Sequence, residues 1–110
     1  MAIHESDLVK GSLDLLVLRV LKQGPRHGCG IAKRIEFISD KTLNVQYGSL
    51  YPALQRLESR GQIQSEWGVS ETKRRVRIYR LTRIGRKQME KELKNWGQFV
   101  DAVSLVLKDA

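Results

Sequence analysis

The run YGSLYPALQRLESRG at residues 47–61, followed shortly by KRRVRIYRLTRIG at residues 73–85, restricts the folds open to this chain. In the first run Leu50, Leu54 and Leu57 recur at the spacing of one helical face. The opening turn of that helix, Gln46, Tyr47, Gly48, Ser49 and Tyr51, offers small and hydrogen-bonding groups instead of apolar bulk. The second run reads as an arginine-rich strand leading into another helix. A helix that starts on small residues beside a basic hairpin meets what a DNA groove and its flanking phosphates require.

The remaining elements follow from the punctuation. A first helix is predicted over residues 12–23, closed by Gly24-Pro25, and its apolar density marks it as a core helix. A second begins near residues 27–30 and aligns Ile31, Ile35 and Ile38 on one face. Residues 42–45 can form a short strand before the third helix. Pro52 falls near that helix's start, where a missing N–H costs little, and Gly61 suits its C-terminal cap. Residues 62–67 and 75–81 are two strands joined by a polar tip at 68–74, and Thr82 caps the last helix. The expected fold is mainly α with a small β-hairpin (α+β), a winged helix-turn-helix with a C-terminal extension. It divides into a winged domain at 1–81 and a helix at 82–110.

Charge sharpens this reading. The chain of 110 residues carries a formal net charge of +8. Residues 72–94 hold ten Lys/Arg against two Asp/Glu, so the whole excess falls on the hairpin and the start of the last helix. Charge gathered in this way points to a polyanionic partner.

The last helix carries the second strong signal. Gly85, Met89, Leu93, Trp96, Val100, Val103 and Leu107 recur at steps of three and four and share an arc of about 80°, widened by Phe99 and Val106. Arg83, Lys87, Lys91 and Lys94 occupy the other side. Such a helix is about 40 Å long, more than so small a domain covers. Its apolar end therefore needs a partner, and a second copy of the chain is the simplest. Leu93, Trp96, Phe99, Val100, Val103, Val106 and Leu107 are the expected dimerisation residues.

Other chemistries find little support. Cys29 is the sole cysteine, so no disulfide framework or zinc ligand set is expected; it reads as a small buried residue, consistent with a reduced cytoplasm. No signal peptide or apolar span is expected, and hence no membrane partner. The histidines, His27 and His4 (the latter in an N-terminus expected to be mobile), have no base–nucleophile or metal-ligand company, so neither catalytic nor metal residues nor a cofactor is assigned. The alternatives to DNA are a winged-helix module for RNA or a protein-interaction adaptor. RNA favours exposed aromatics that stack on unpaired bases, whereas the aromatics here are expected mainly at core-like positions, and an adaptor leaves the basic segment unexplained.

The pattern GSLYPALxRLExxG followed by R-x-Y-x-L-T-x-x-G resembles the PadR transcriptional regulators, and GSLDLLVLRVLKQGPRHGCGIAKRI extends the likeness through the first half. The resemblance implies a cytoplasmic, bacterial, homodimeric transcriptional regulator, usually a repressor, that binds an inverted repeat in double-stranded DNA. It implies that Gln46, Tyr47, Gly48, Ser49 and Tyr51 open the recognition helix, and that Lys73, Arg74, Arg75 and Arg77 line the wing. Short members with one C-terminal helix resemble the multidrug-responsive branch, which implies a small flat aromatic effector between subunits, lined here by Trp96, Met89, Leu93 and Val100. Two departures stand out: Cys29 replaces a common Tyr, and Gln46 replaces the usual Ser or Thr cap. Bland roles stay open for several residues: Tyr51 and Tyr47 as packed aromatics, Ser49 as a local cap, and Trp96 as interface packing alone. Tyr79 is read as a core residue beneath the wing.

Overall fold

The computed structural model describes residues 7–109 and, within them, the side chains of residues 12–109. His4 and the mobile N-terminus expected around it lie outside the described residues. The order is α1 Asp7–Lys22, β1 Arg26–His27, α2 Gly28–Ile38, α3 Tyr47–Ser59, β2 Ile63–Val69, β3 Arg75–Leu81 and α4 Arg83–Asp109. The strands form one antiparallel sheet in the order β1-β3-β2. The architecture is α+β, a winged helix-turn-helix with a long C-terminal helix.

Helix α1 is the hub. Leu13, Leu15, Val17, Leu18, Val20 and Leu21 are all buried, because this helix packs against α2, α3, α4 and β3. It begins earlier than residue 12: one interior glycine, Gly11, costs only about 1 kcal/mol, and a well-packed helix passes through it. Ile31, Ala32 and Ile35 from α2 and Leu50, Ala53, Leu54 and Leu57 from α3 complete the core. Ile38, expected beside Ile31 and Ile35, is instead exposed at the end of α2.

Two further expectations need correction. Arg26–His27 forms a third strand, pairing Arg26 with Tyr79 and His27 with Ile78. A two-residue strand has no periodicity to read, so the sequence alone suggests a plain two-stranded hairpin. Residues 42–45 do not form a strand. Leu43 is an isolated bridge residue and Val45 enters the core, while the chain is turned by Asp40 and Lys41 at φ 53° and 61°.

Helix α3 ends in a Schellman arrangement: Gln62 N–H donates to the Leu57 carbonyl, and Gly61, at φ 74°, donates to Glu58. The chain then enters the wing, which returns through β3 to Thr82. The Thr82 hydroxyl donates to the Gly61 carbonyl at 2.7 Å and accepts from the Gly85 N–H at 3.0 Å, capping α4 as expected. Gly85 sits so close to the wing's base that a Cβ there would lie 1.9 Å from the Gln62 carbonyl oxygen. The core extends into α4 only as far as Gly85 and Met89, and no residue from 93 to 109 is buried.

Candidate nucleic-acid interface

Helix α3 presents the expected residues at its exposed start. Gln46 occupies the N-cap with extended backbone and makes no side-chain capping bond; its carbonyl accepts from Ser49 and Leu50. The departure from a Ser or Thr cap therefore leaves the helix start intact. Tyr47 and Tyr51 are each 48% exposed, with their rings edge to face at 6.0 Å between centroids. Tyr47 is thus outside the core it was weighed against: it shares the side of Leu50 and Leu54 but is the first residue of α3, one turn before that side becomes buried. Its hydroxyl donates to the Cys29 Sγ at 3.1 Å, which holds the Tyr47 phenol above its ordinary range, with desolvation adding to the effect. The end of the Tyr51 ring lies against the start of α2, so close that a Cβ on Gly28 would come within 2.9 Å of it and oblige the ring to shift.

Pro52 is the sixth residue of α3, in the second turn and not the first. Its missing N–H therefore removes one intrahelical bond, the one that the Gly48 carbonyl would otherwise accept. Gly48 itself is exposed, and a Cβ there would meet no protein atom within 4 Å. Nothing in the protomer requires a glycine at this position, which leaves the space above it to whatever the helix docks against.

The wing is organised by Trp67, a residue that no motif or spacing singles out. Trp67 pairs with Arg77 in the ladder. The Arg75 guanidinium lies over its ring at 4.3 Å and that of Arg77 at 5.0 Å. Stacking of this kind, on the order of 1 kcal/mol at exposed sites, holds both charged heads in place while leaving them accessible. Arg77 is further fixed by donating to the Ser65 Oγ at 2.8 Å, and Ser65 donates in turn to Glu58 of α3 at 2.6 Å. This chain of bonds ties the wing to α3. Burial pushes the phenol of Tyr79, beneath the same face, above its ordinary value; Glu58 reinforces the shift and Arg77 opposes it. An expected hairpin tip beginning at Gly68 hid the Trp67–Arg77 pair, since the ladder in fact continues to Val69 opposite Arg75.

Lys73 and Arg74 form the tip. Lys73 takes φ 61°, and its N–H donates to the Ser70 carbonyl at 2.9 Å. Arg80 is spent on Glu66, at 2.6 Å, across the wing's other face. The remaining basic residues of the segment, from Arg83 onward, ride on α4, which starts at the base of the wing and not at its tip. The basic segment is therefore two surfaces separated by a seven-residue strand, roughly 23 Å.

The aromatics are not core-like: of the seven, Tyr79 alone is buried. Aliphatic side chains fill the core, which displaces the rings to the surface. Trp67 is overlaid by guanidinium groups, and the end of the Tyr51 ring lies against Gly28.

On α4, Leu93, Trp96, Phe99, Val100, Val103, Val106 and Leu107 are between 38% and 70% exposed. Met89 is not among them. At 1% exposure it belongs to the protomer's own core and cannot line a space between subunits. Trp96 and Phe99, 6.0 Å apart, instead border a shallow cavity of about 240 Å³ shared with Ser12 and Leu15 of α1. No helix of the described residues is long and apolar enough to cross a membrane, and no cluster among them has the makeup of a metal site.

Known proteins share this fold. A transcriptional regulator from Clostridium thermocellum superposes with a TM-score of 0.82 at 32% identity, over 90% of this chain and 96% of its own. A PadR family transcriptional regulator from Eggerthella lenta does so with a TM-score of 0.77 at 31% identity, over 92% and 86%. An uncharacterised protein of Lysinibacillus sphaericus is 28% identical over 103 residues, 94% of each chain. The sequence pattern of the PadR-like transcriptional regulator family matches residues 17–91, and with it the chain belongs to that family.

Proposed function

We propose that this transcriptional regulator acts as a homodimeric repressor that binds an inverted repeat in double-stranded DNA. Helix α3 enters the major groove at its Gln46–Tyr51 end, and Lys73, Arg74, Arg75 and Arg77 grip flanking phosphates. The observation that carries this reading is the Arg75–Trp67–Arg77 stack tied through Ser65 and Glu58 to α3, which gives charged heads and recognition helix a common rigid frame. The exposed apolar half of α4 supports assembly with a second copy. Large aliphatic side chains contribute roughly 1.5–3 kcal/mol each when fully covered.

A flat aromatic effector at the subunit junction, against Trp96, Leu93 and Val100, completes the proposal; it acts by preferring one spacing of the two recognition helices. Trp96 fluorescence in a Trp67→Phe background, titrated with planar aromatics, tests this part. Quenching without loss of operator affinity rejects it.

The central test is a genome-wide pulldown of DNA fragments on the purified protein at physiological salt. A single enriched inverted repeat with half-sites about one helical turn apart is the expected result. Uniform recovery of fragments regardless of sequence, or enrichment of RNA instead, refutes it.

A further inference from the structure

A cleft of about 350 Å³ lies between α2 and the tip of the wing. Arg26, His27, Lys33 and Arg34 line it from the α2 side, and Ser70, Glu71 and Thr72 from the tip. Among the described residues none of the three permanent cations belongs to an ion pair. Arg34 donates to the Gln23 Oε1 at 3.1 Å and lies over the Phe37 ring at 5.4 Å, which orients it without neutralising it. The Arg26 Nε is buried and has no hydrogen-bond partner in the protein. A buried donor left unmatched is destabilising, so this residue favours an anionic acceptor beside it.

The location narrows the anion. Lys33 also lines the neighbouring cavity against Gln46 and Tyr47, at the start of the recognition helix. Cys29, which borders the cleft, is the acceptor for the Tyr47 hydroxyl. The cleft, though lined by no α3 residue, therefore lies beside the gap between the two elements assigned to DNA. A strand that places one groove on α3 and the adjoining one on the wing must carry its backbone across that gap.

We propose that the α2–wing cleft is a third anchor for DNA, in which Arg26, Lys33 and Arg34 hold a backbone phosphate. This rests on the DNA-binding reading above and adds residues outside the recognition helix and wing. Arg26 and Arg34 supply N–H donors of fixed direction and Lys33 a mobile charge, while the Ser70 and Thr72 hydroxyls, hydrogen-bonded to each other at 3.1 Å, border the site. Glu71 opposes it. A carboxylate in the same cleft weakens the hold and keeps it readily reversible.

The experiment uses the full chain and a fluorescent 30-base-pair duplex, with affinity followed over a salt series. The double variant Lys33→Gln/Arg34→Gln is expected to bind on the order of tenfold more weakly on every sequence. Its salt slope should fall by roughly one per cation removed per bound protomer. Glu71→Gln should do the reverse, tightening binding severalfold, an outcome that misfolding cannot mimic. Glu90→Gln on α4, an equal change of charge elsewhere, should shift affinity much less. Arg75→Ala serves as the reference. If Arg75→Ala weakens binding while both cleft variants match the parent, the cleft proposal is wrong and the DNA reading stands. If Arg75→Ala is also silent, the DNA reading itself fails. Saturable binding of inorganic phosphate that Lys33→Gln/Arg34→Gln abolishes, with duplex affinity unchanged, marks a small-anion site and overturns the proposal.

Discussion

The two halves of α4 carry one uninterrupted apolar period, yet the protomer covers only the first. Gly85 and Met89 are buried against the wing's base and α1, whereas Leu93, Trp96, Val100 and Val103 continue the same stripe and stay about 40% exposed. The glycines mark the same divide: a Cβ on Gly85 would collide with the Gln62 carbonyl, while a Cβ on Gly97, one residue after Trp96, would meet nothing within 4 Å. Residues in the first half answer to the protomer's own fold, and those in the second answer to something outside it. Helix α3 repeats the contrast, since Leu50 and Leu54 are buried while Gly48 stands in open space.

The comparison is broken most severely at Gly85. Gly85→Ala should destabilise by about 3 kcal/mol or more, lowering the thermal midpoint by roughly 15 °C, because the clash is with backbone and cannot be relieved by a rotamer. Gly97→Ala should instead raise protomer stability by up to about 1 kcal/mol through helix propensity. Equal midpoints for the two variants would show that the halves of α4 do not differ as described.

Next in size is assembly. Val103→Asp, at an exposed position of the stripe, should convert the dimer to monomer in sedimentation equilibrium with the circular-dichroism spectrum of the winged domain retained. A dimer that persists would move the interface away from α4.

Gly48→Ala tests the exposed glycine of α3. Its thermal midpoint should stay level or rise slightly, while DNA affinity drops on the order of tenfold as a methyl group enters the space above the helix. A variant that bound as well as the parent would leave Gly48 without a role in docking. Removing one phosphate contact is milder: Arg75→Ala should weaken all sequences severalfold and lower the salt slope by roughly one per bound protomer. Trp67→Ala should give part of the same loss by releasing Arg75 from its stack.

The smallest effect concerns pH. Burial raises Tyr79 above its ordinary value of 10.0, so the folded state favours the neutral phenol. The resulting stabilisation is complete below pH 10 and disappears as pH rises through the folded-state value. Midpoints measured from pH 9 upward should fall more steeply for the parent than for Tyr79→Phe; parallel curves would contradict the assignment.

Much of this protein was legible in the chain because its signals are local. Leucine spacing, Gly24-Pro25, Gly61 and Thr82 delimit helices through hydrogen bonds made within a few residues, and the stripe on α4 is a property of one helix. The start of α3 could be read for the same reason, since Gln46 to Tyr51 are neighbours in sequence. Strand β1 could not, because two residues acquire strand character only from a partner more than 50 positions away. The same holds for the Trp67 stack, which depends on where the hairpin turns, and for the α2–wing cleft, whose cations come from β1 and α2 and whose hydroxyls come from the wing tip. Met89 and Leu93 share a face and are alike in hydropathy. Burial of the first and exposure of the second depend on where α4 passes the edge of α1, a distance that helical period does not encode. Local hydrogen bonding and amphipathic period thus determined the elements and the side each would turn inward, while register, helix overhang and the meeting of distant charges were decided only when those elements packed.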